Sequence, residues 1–377
     1  MPRPASSTAD GSIALSVVST HVLVRGTGLI GTSLGIALSR KGYAVHLADP
    51  SPTAERLARD LGAGSLVEAQ SADPDVVVVA APPDVAAGVV ADSLSRWPSA
   101  VVTDVASVKG AVLDGLRSAG ADLARYVGSH PMAGRERSGA GHARGDLFEG
   151  RVWVVVPTEQ SRPDAVEAVR RLAQDAGSAV VVMDAQAHDE AVAAISHLPQ
   201  VAASLVAAQL RSLGDEALAL AGQGVRDVTR IAASDPGLWT QILAGNAGAV
   251  RAVLARMQDD LAELVDALDR LQAAEADGGL AVINRAITHG NAGHARIPGK
   301  HGAAPAAYRP VTVLVPDTPG ALGRLLTDVG EAGVNLEDMR LDHGVGLPFG
   351  LAEIMVVPGA VERLHEALAA KGWRVHE

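Results

Sequence analysis

Short Val-rich runs alternate with amphipathic stretches through the first half of the chain. They read HVLVRG, TSLGIALSRKG, AVHLADP, TAERLARDLG, DVVVVAAPP, AVVTDVAS, YVGSHP, VWVVVP, a helical stretch over 163–176, and AVVVMD. Near-continuous apolar strands separated by amphipathic helices predict a parallel sheet covered on both faces, a Rossmann-type α/β domain over 21–186. The rhythm then changes. Residues 187–290 are Ala- and Leu-rich with few β-branched clusters, which predicts an all-α domain with a large apolar face shared with a second subunit, so a homodimer. NAGHARIPGKHGAAPAA reads as a linker over 291–307. From 308 to 377 the order strand, helix, strand, strand, helix, strand predicts an α+β ferredoxin-like domain. Residues 1–20 form a small, polar N-terminal extension.

Composition narrows the partners. The 377 residues carry a net charge of −11 with no basic block, which argues against nucleic acid and anionic membrane. There is no cysteine, hence no disulfide, thiol nucleophile or Cys-ligated metal. The N-terminus lacks a basic stretch followed by a long apolar run, so no signal peptide is read and a cytoplasmic location is expected. The uncharged run AVAAISHLPQVAASLVAAQL is long enough to span a membrane, but His197, Pro199 and Gln200 at its centre favour a buried helix of a soluble protein.

The strand HVLVR is followed by Gly26-Thr27-Gly28-Leu29-Ile30-Gly31 and a helix. In this context Gly26 permits the tight turn, Gly28 lets backbone approach a pyrophosphate, and Gly31 allows close helix–strand packing. The helix start supplies N–H donors and a positive dipole end. Asp49 closes the second strand, at the spacing of roughly 20 residues expected for a ribose-binding carboxylate. It should favour NAD over NADP, because a 2′-phosphate would meet a negative charge. Ligands of open α/β sheets sit beyond the carboxyl ends of strands. There lie Ala81 and Pro82, small enough to line a nicotinamide ribose; Ser107, with Lys109 just beyond; and His130 in GSHPMAGRERSG. Ser107 could equally be a helix N-cap.

GTGLIGTSL, TDVASVKG, GSHPMAGRERSG with LFEG after it, SHLPQ and RDVTRIAASDPGLW occur in this order. Over about 22–298 the chain resembles the prephenate/arogenate dehydrogenases of tyrosine biosynthesis, and DTPGALGRLL…GVNLEDM resembles an ACT domain. The resemblance implies oxidative decarboxylation of a cyclohexadienyl substrate: hydride leaves the hydroxyl-bearing ring carbon for NAD, CO₂ departs, and the ring becomes aromatic. It implies that His130 takes the hydroxyl proton and that Ser107 bonds the same hydroxyl or orients His130. His197 would contact substrate. Arg230 would clamp a carboxylate, with Asp227 to orient it and Arg226 one helical turn away. Trp239 would close the pocket, and His188 is a weaker candidate. The substrate is read as prephenate, with arogenate as the alternative. Glu136 could pair with the ammonium that only arogenate carries. In the C-terminal module Asp317, Pro319, Gly320 and Asn335 would hold an amino acid, tyrosine being the natural effector. His289, His294 and His301 match no metal-ligand spacing, so no metal is expected. Two other readings compete. A β-hydroxyacid dehydrogenase would need a helical-domain lysine, which 188–289 lacks. A non-catalytic NAD and amino-acid sensor would not need a His, a Ser and an Arg converging on the cofactor.

Overall fold

The computed structural model describes residues 20–68, 70–134, 139–273, 278–297, 308–343 and 348–376. Glu136 and His301 lie outside the described residues. The chain forms two compact units. One holds the chain up to Leu220 with Arg226–Arg256; the other holds Ala221–Val225 with Met257–Glu377.

The first unit is built on eight strands: β1 (His21–Arg25), β2 (Ala44–Ala48), β3 (Ser65–Leu66), β4 (Val76–Val79), β5 (Val101–Asp104), β6 (Tyr126–Pro131), β7 (Val152–Pro157) and β8 (Ala179–Val182). Their order is β3-β2-β1-β4-β5-β6-β7-β8, and β1 to β6 run parallel. Helices α1 (Leu29–Arg40), α2 (Pro52–Asp60), α3 (Pro83–Arg96), α4 (Gly110–Ser118) and α5 (Pro163–Asp175) cover the sheet. All four valines of β4 are buried, as a strand covered on both faces requires. The strand order reverses between β1 and β4, so their carboxyl ends open the crevice where a dinucleotide binds in such sheets.

One expectation is corrected. VWVVVP is not a further parallel strand; β7 runs antiparallel to β6, and β8 then runs parallel to β7. A parallel return needs a crossover of a dozen or more residues, usually a helix. The twenty residues between Pro131 and Val152 would be long enough for a crossover, but among the described ones they form only a short 3₁₀ turn (Ala140–His142), and β7 returns beside β6.

Next come α6 (Ala185–Val192), a π-helical turn (Ala193–His197), α7 (Leu198–Gln209), α8 (Asp215–Leu218), α9 (Gln223–Thr229), α10 (Pro236–Gly245), α11 (Ala247–Gln272) and α12 (Gly279–His294). Ala185–Ser212 is continuously helical and apolar enough to cross a membrane by length and composition. Contrary to expectation it is not buried within one chain: Ile195 is 67% and Leu205 58% exposed. In the second unit Arg285 of α12 pairs with Glu263 of α11. Then β9 (Arg309–Pro316), α13 (Ala321–Glu331), β10 (Asp338–His343), β11 (Phe349–Val356), α14 (Val361–Ala370) and β12 (Arg374–His376) form an antiparallel sheet of order β10-β11-β9-β12. This is the expected ferredoxin-like topology. Val311, Val313 and Val315 alternate inward onto Leu325, Ile354, Leu364 and Trp373.

The tightest point of the first unit is the turn after β1. Gly26 has φ +109°, and a Cβ there would lie 2.4 Å from the Ala80 carbonyl oxygen; a Cβ on Gly31 would lie 1.9 Å from the Gly26 oxygen. We expect Gly31→Ala to force β1 and α1 apart, lowering stability by about 1–3 kcal/mol in chemical denaturation and weakening NAD binding in the same preparation.

Candidate active site

The nucleotide cradle follows directly from that turn. Among the described residues nothing beyond its chain neighbours lies within 4 Å of a Cβ built on Gly28, so the loop leaves room for a ligand where the other two glycines meet backbone. The first helical hydrogen bond of α1 runs from the Thr32 N–H to the Gly28 carbonyl. The N–H groups of Leu29, Ile30 and Gly31 therefore face out of the helix start, an anion site by geometry and dipole. Leu29 contributes backbone only, since its side chain belongs to the core. Asp49 accepts from the Thr27 N–H at 2.6 Å, the Thr27 hydroxyl at 2.9 Å and the Ser51 N–H at 2.8 Å. These bonds tie the end of β2 to the glycine loop and fix the carboxylate beside it. Ala81 and Pro82 link β4 to α3, where the Ala80 N–H bonds the Arg25 carbonyl at 2.7 Å. A dinucleotide fits these residues: a backbone cradle for the pyrophosphate and a carboxylate for the ribose.

Beneath the carboxyl ends of β5 and β6 lies a buried polar cluster. The Lys109 ammonium donates to Asp104 Oδ1 and, at 2.7 Å, to the Ser129 carbonyl. Tyr126 donates to Asp104 Oδ2 at 2.7 Å, and the Ser129 hydroxyl donates to the Asp104 carbonyl at 2.8 Å. Lys109 and Asp104 are both essentially inaccessible to solvent. Burial lowers the Lys109 pKa from its ordinary value, with Asp104 opposing the shift. The cluster pins the backbone just before His130.

His130 sits near the end of β6. Its Nδ1 lies 2.9 Å from His188 Nε2, with the two rings edge to face. His188 Nδ1 is 2.8 Å from Asp189 Oδ1. The same carboxylate accepts the N–H groups of Lys109 at 2.9 Å and Gly110 at 2.8 Å, capping α4. Ser107 is thus not the cap of this helix. It is half-buried, and its hydroxyl makes no hydrogen bond among the described residues. Its neighbourhood to the β5 exit is as expected; a bond orienting His130 is not present, and His188 fills that place.

His197 ends the π-helical turn. Pro199, at the start of α7, has no N–H and clashes with the carbonyl four residues back, which disturbs the regular ladder here. His197 is 1% exposed, 3.3 Å from the Asn246 amide nitrogen, and edge-on to Trp239 with ring centroids 6.0 Å apart. Asn246 Nδ2 also donates to the Asp189 carbonyl at 2.7 Å, which fixes the amide orientation. The amide therefore donates to His197 Nδ1, leaving Nε2–H of the neutral ring as a donor.

Three histidines, Asp189, Asn246 and Trp239 are thus brought together. Arg230 begins a short 3₁₀ turn (Arg230–Ala233) that packs on α7, where the Ser234 hydroxyl donates to Gln200 at 3.3 Å. In the single chain Arg230, Asp227 and Arg226 are exposed. Asp189 and Asn246 were not anticipated. Asp189 directly follows a candidate histidine, and Asn246 sits at the break between two helical patterns; neither signal is specific alone. Among the described residues no group of three or more His, Asp or Glu side chains could hold a metal ion.

Burial holds the His130 pKa well below the usual imidazole value, with His188, Lys109 and His197 adding to the effect. Burial likewise lowers His197, against the pull of Asp189. Burial alone would raise Asp189, but hydrogen bonds from His188, Lys109 and Gly110 outweigh it and lower its pKa. Both imidazoles are therefore neutral near pH 7.

A nucleotide crevice at the strand-order reversal, with a neutral histidine at the end of a nearby strand, defines a Rossmann-type, dinucleotide-dependent dehydrogenase. Residues 34–182 match the family model for the nucleotide-binding domain of prephenate dehydrogenase, and residues 184–278 match that for its dimerization domain. A probable prephenate dehydrogenase of Streptomyces niveus is 38% identical over 94% of this chain and 98% of its own length. Prephenate dehydrogenase of Bacillus subtilis is 27% identical over 85% of this chain and 87% of its own length. Among solved structures, prephenate dehydrogenase of Aquifex aeolicus with hydroxyphenyl propionate and NAD+ superposes with TM-score 0.62 at 28% identity, covering 73% of this chain and 99% of the other. Arogenate dehydrogenase of Synechocystis gives TM-score 0.60 at 25% identity, with the same coverage. The chain belongs to the prephenate dehydrogenase family, and is an NAD-using enzyme of the prephenate or arogenate dehydrogenase class.

Two outcomes follow for the site. Lys109→Met leaves Asp104 as an uncompensated buried charge and should destabilise by about 3–5 kcal/mol in denaturant titration, while Lys109→Met with Asp104→Asn recovers most of the loss. His130 and His197 resist protonation when folded, so below the unfolded pKa near ~6.5 the unfolded chain binds more protons. Stability should be fully present above about pH 7 and decline as pH falls through 6.5, by up to about 1.4 kcal/mol per pH unit for each histidine. His130→Gln should flatten that slope.

Proposed function

We propose that the protein converts prephenate to 4-hydroxyphenylpyruvate by NAD-dependent oxidative decarboxylation, with arogenate as the alternative substrate. The observation that carries this reading is the neutral His130 at the exit of β6, held beside the donor His197. The substrate hydroxyl gives its proton to His130, with Ser107 as a second partner for the same oxygen. Held by the glycine loop and Asp49, NAD would supply the acceptor for the hydride that leaves the hydroxyl-bearing ring carbon. His197 Nε2–H donates to a substrate oxygen, Arg230 clamps a carboxylate, and Trp239 walls the ring; fixed placement of this kind supplies much of the rate. Loss of CO₂ then completes aromatisation.

The apolar residues left exposed, Ile195 and Leu205 on the helical run and Leu220 (86% exposed) in the turn after α8, fit a homodimer that covers them. In the C-terminal domain a cavity of about 220 Å³ is lined by Val315, Pro316, Asp317, Thr318, Leu322, Leu341 and Gly350. It lies at the turn from β9 into α13, where Gly320 takes φ +86°. Pro319, Gly320 and Asn335 do not line it; Asn335 instead donates to Glu337 at 3.0 Å. We read this domain as ACT-like and this cavity as an effector site for tyrosine.

Purified protein should form NADH from NAD with prephenate, and more slowly or not at all with NADP. Arogenate measured in parallel sets the substrate preference, and no NADH from either compound refutes the reading. Tyrosine should inhibit the full-length enzyme, and Thr318→Trp should remove that inhibition with the uninhibited rate intact. Inhibition unchanged in this variant would place the effector elsewhere.

A further inference from the structure

We infer that His188 and Asp189 are positioning residues that set the tautomer of His130 and take over the positive charge formed when the substrate hydroxyl loses its proton. The inference rests on the proposed reaction and deepens it. The argument starts at Asp189. Its carboxylate accepts two backbone N–H groups at the start of α4, a nine-residue helix whose dipole also favours negative charge there. Gly110 is matched to it closely: a Cβ on Gly110 would lie 2.9 Å from Asp189 Oδ2. An ionised carboxylate can only accept, so the 2.8 Å contact with His188 requires a proton on His188 Nδ1. In neutral His188 the lone pair then sits on Nε2. Two lone pairs cannot bond, so His130 Nδ1, 2.9 Å away, carries its proton. His130 Nε2 is left as the free base, the nitrogen not engaged in the chain.

The same chain resolves a difficulty in the chemistry. A base must accept a proton, yet the surroundings of His130 oppose a charge on it: the ring is buried, Lys109 and His197 face it, and Asp104 is already engaged by Lys109. With the relay, the substrate O–H bond breaks and an N–H bond forms at His130 Nε2. The Nδ1 proton passes to His188 Nε2. The charge then rests on His188, whose Nδ1–H already points at the Asp189 carboxylate. Proton count is conserved, and the electrons of the hydride are not part of this transfer.

Two measurements test it. In the wild-type protein labelled with ¹⁵N-histidine, the signal lost in His130→Gln should show protonated Nδ1 and unprotonated Nε2 near pH 7. A proton on Nε2 overturns the inference whatever the activity, so this outcome is separate from failure of the proposed reaction. In steady-state kinetics with prephenate and NAD, His188→Gln should lower kcat by about 100-fold or more with KM changed by less than about threefold. The acid limb of its kcat/KM profile should shift, because the proton of the acid form then rests on His130 rather than on His188. Asp189→Asn should act in the same direction. A His188→Gln enzyme with wild-type kcat and an unmoved acid limb overturns the inference, since a merely structural histidine would behave so. Should either variant fail to fold, the wild-type tautomer still decides.

Discussion

The site depends on one carboxylate. Asp189 belongs to α6, but its oxygens are spent on the start of α4 and on the ring of His188. Its own carbonyl holds Asn246, and Asn246 holds His197. One residue therefore locates three histidines relative to the strand ends of the sheet. Its carboxylate is held ionised by the hydrogen bond from His188 and by the backbone N–H groups of Lys109 and Gly110, with no cation needed. The fully buried Lys109–Asp104 pair does the complementary task from below, gripping the Ser129 carbonyl and hence the strand that carries His130. Such a pair is weak evidence for stability, because desolvation offsets much of its attraction. Its evident effect is placement.

Much of this could be read from residue order. The valine runs named the strands, and the glycine spacing with Asp49 named the nucleotide turn. His130 and His197 were marked by strand-end position and by the family resemblance. The C-terminal βαββαβ order was legible because each β-strand alternates, and β9 places Val311, Val313 and Val315 on one face. What could not be read was pairing direction and partnership. VWVVVP looks the same in either direction, and the twenty residues before it are long enough for either return. Asp189 looked like any acidic residue in a helix. Its role arises because residues some eighty positions apart meet, and no local pattern encodes that meeting.

The apolar run ending in AAQL shows the same limit in another form. Composition marked it as buried, and within one chain it is not. A hydrophobic pattern says that a surface must be covered. It does not say whether the cover comes from the same polypeptide. Residues 184–278 match the family model for the dimerization domain, and the proposed homodimer would give this face its cover.

The π-helical turn at Ala193–His197 has a consequence for how this site tolerates change. Each residue advances an α-helix by about 100°, and a π turn holds one residue more than the regular turn it replaces. A deletion of a single alanine there would close the π turn to a regular α turn and so shift the backbone that presents His197 without altering any residue of the site. Length, in this short stretch, is as much a part of the chemistry as side-chain identity, and alanines with no reactive atom are held to their number by it.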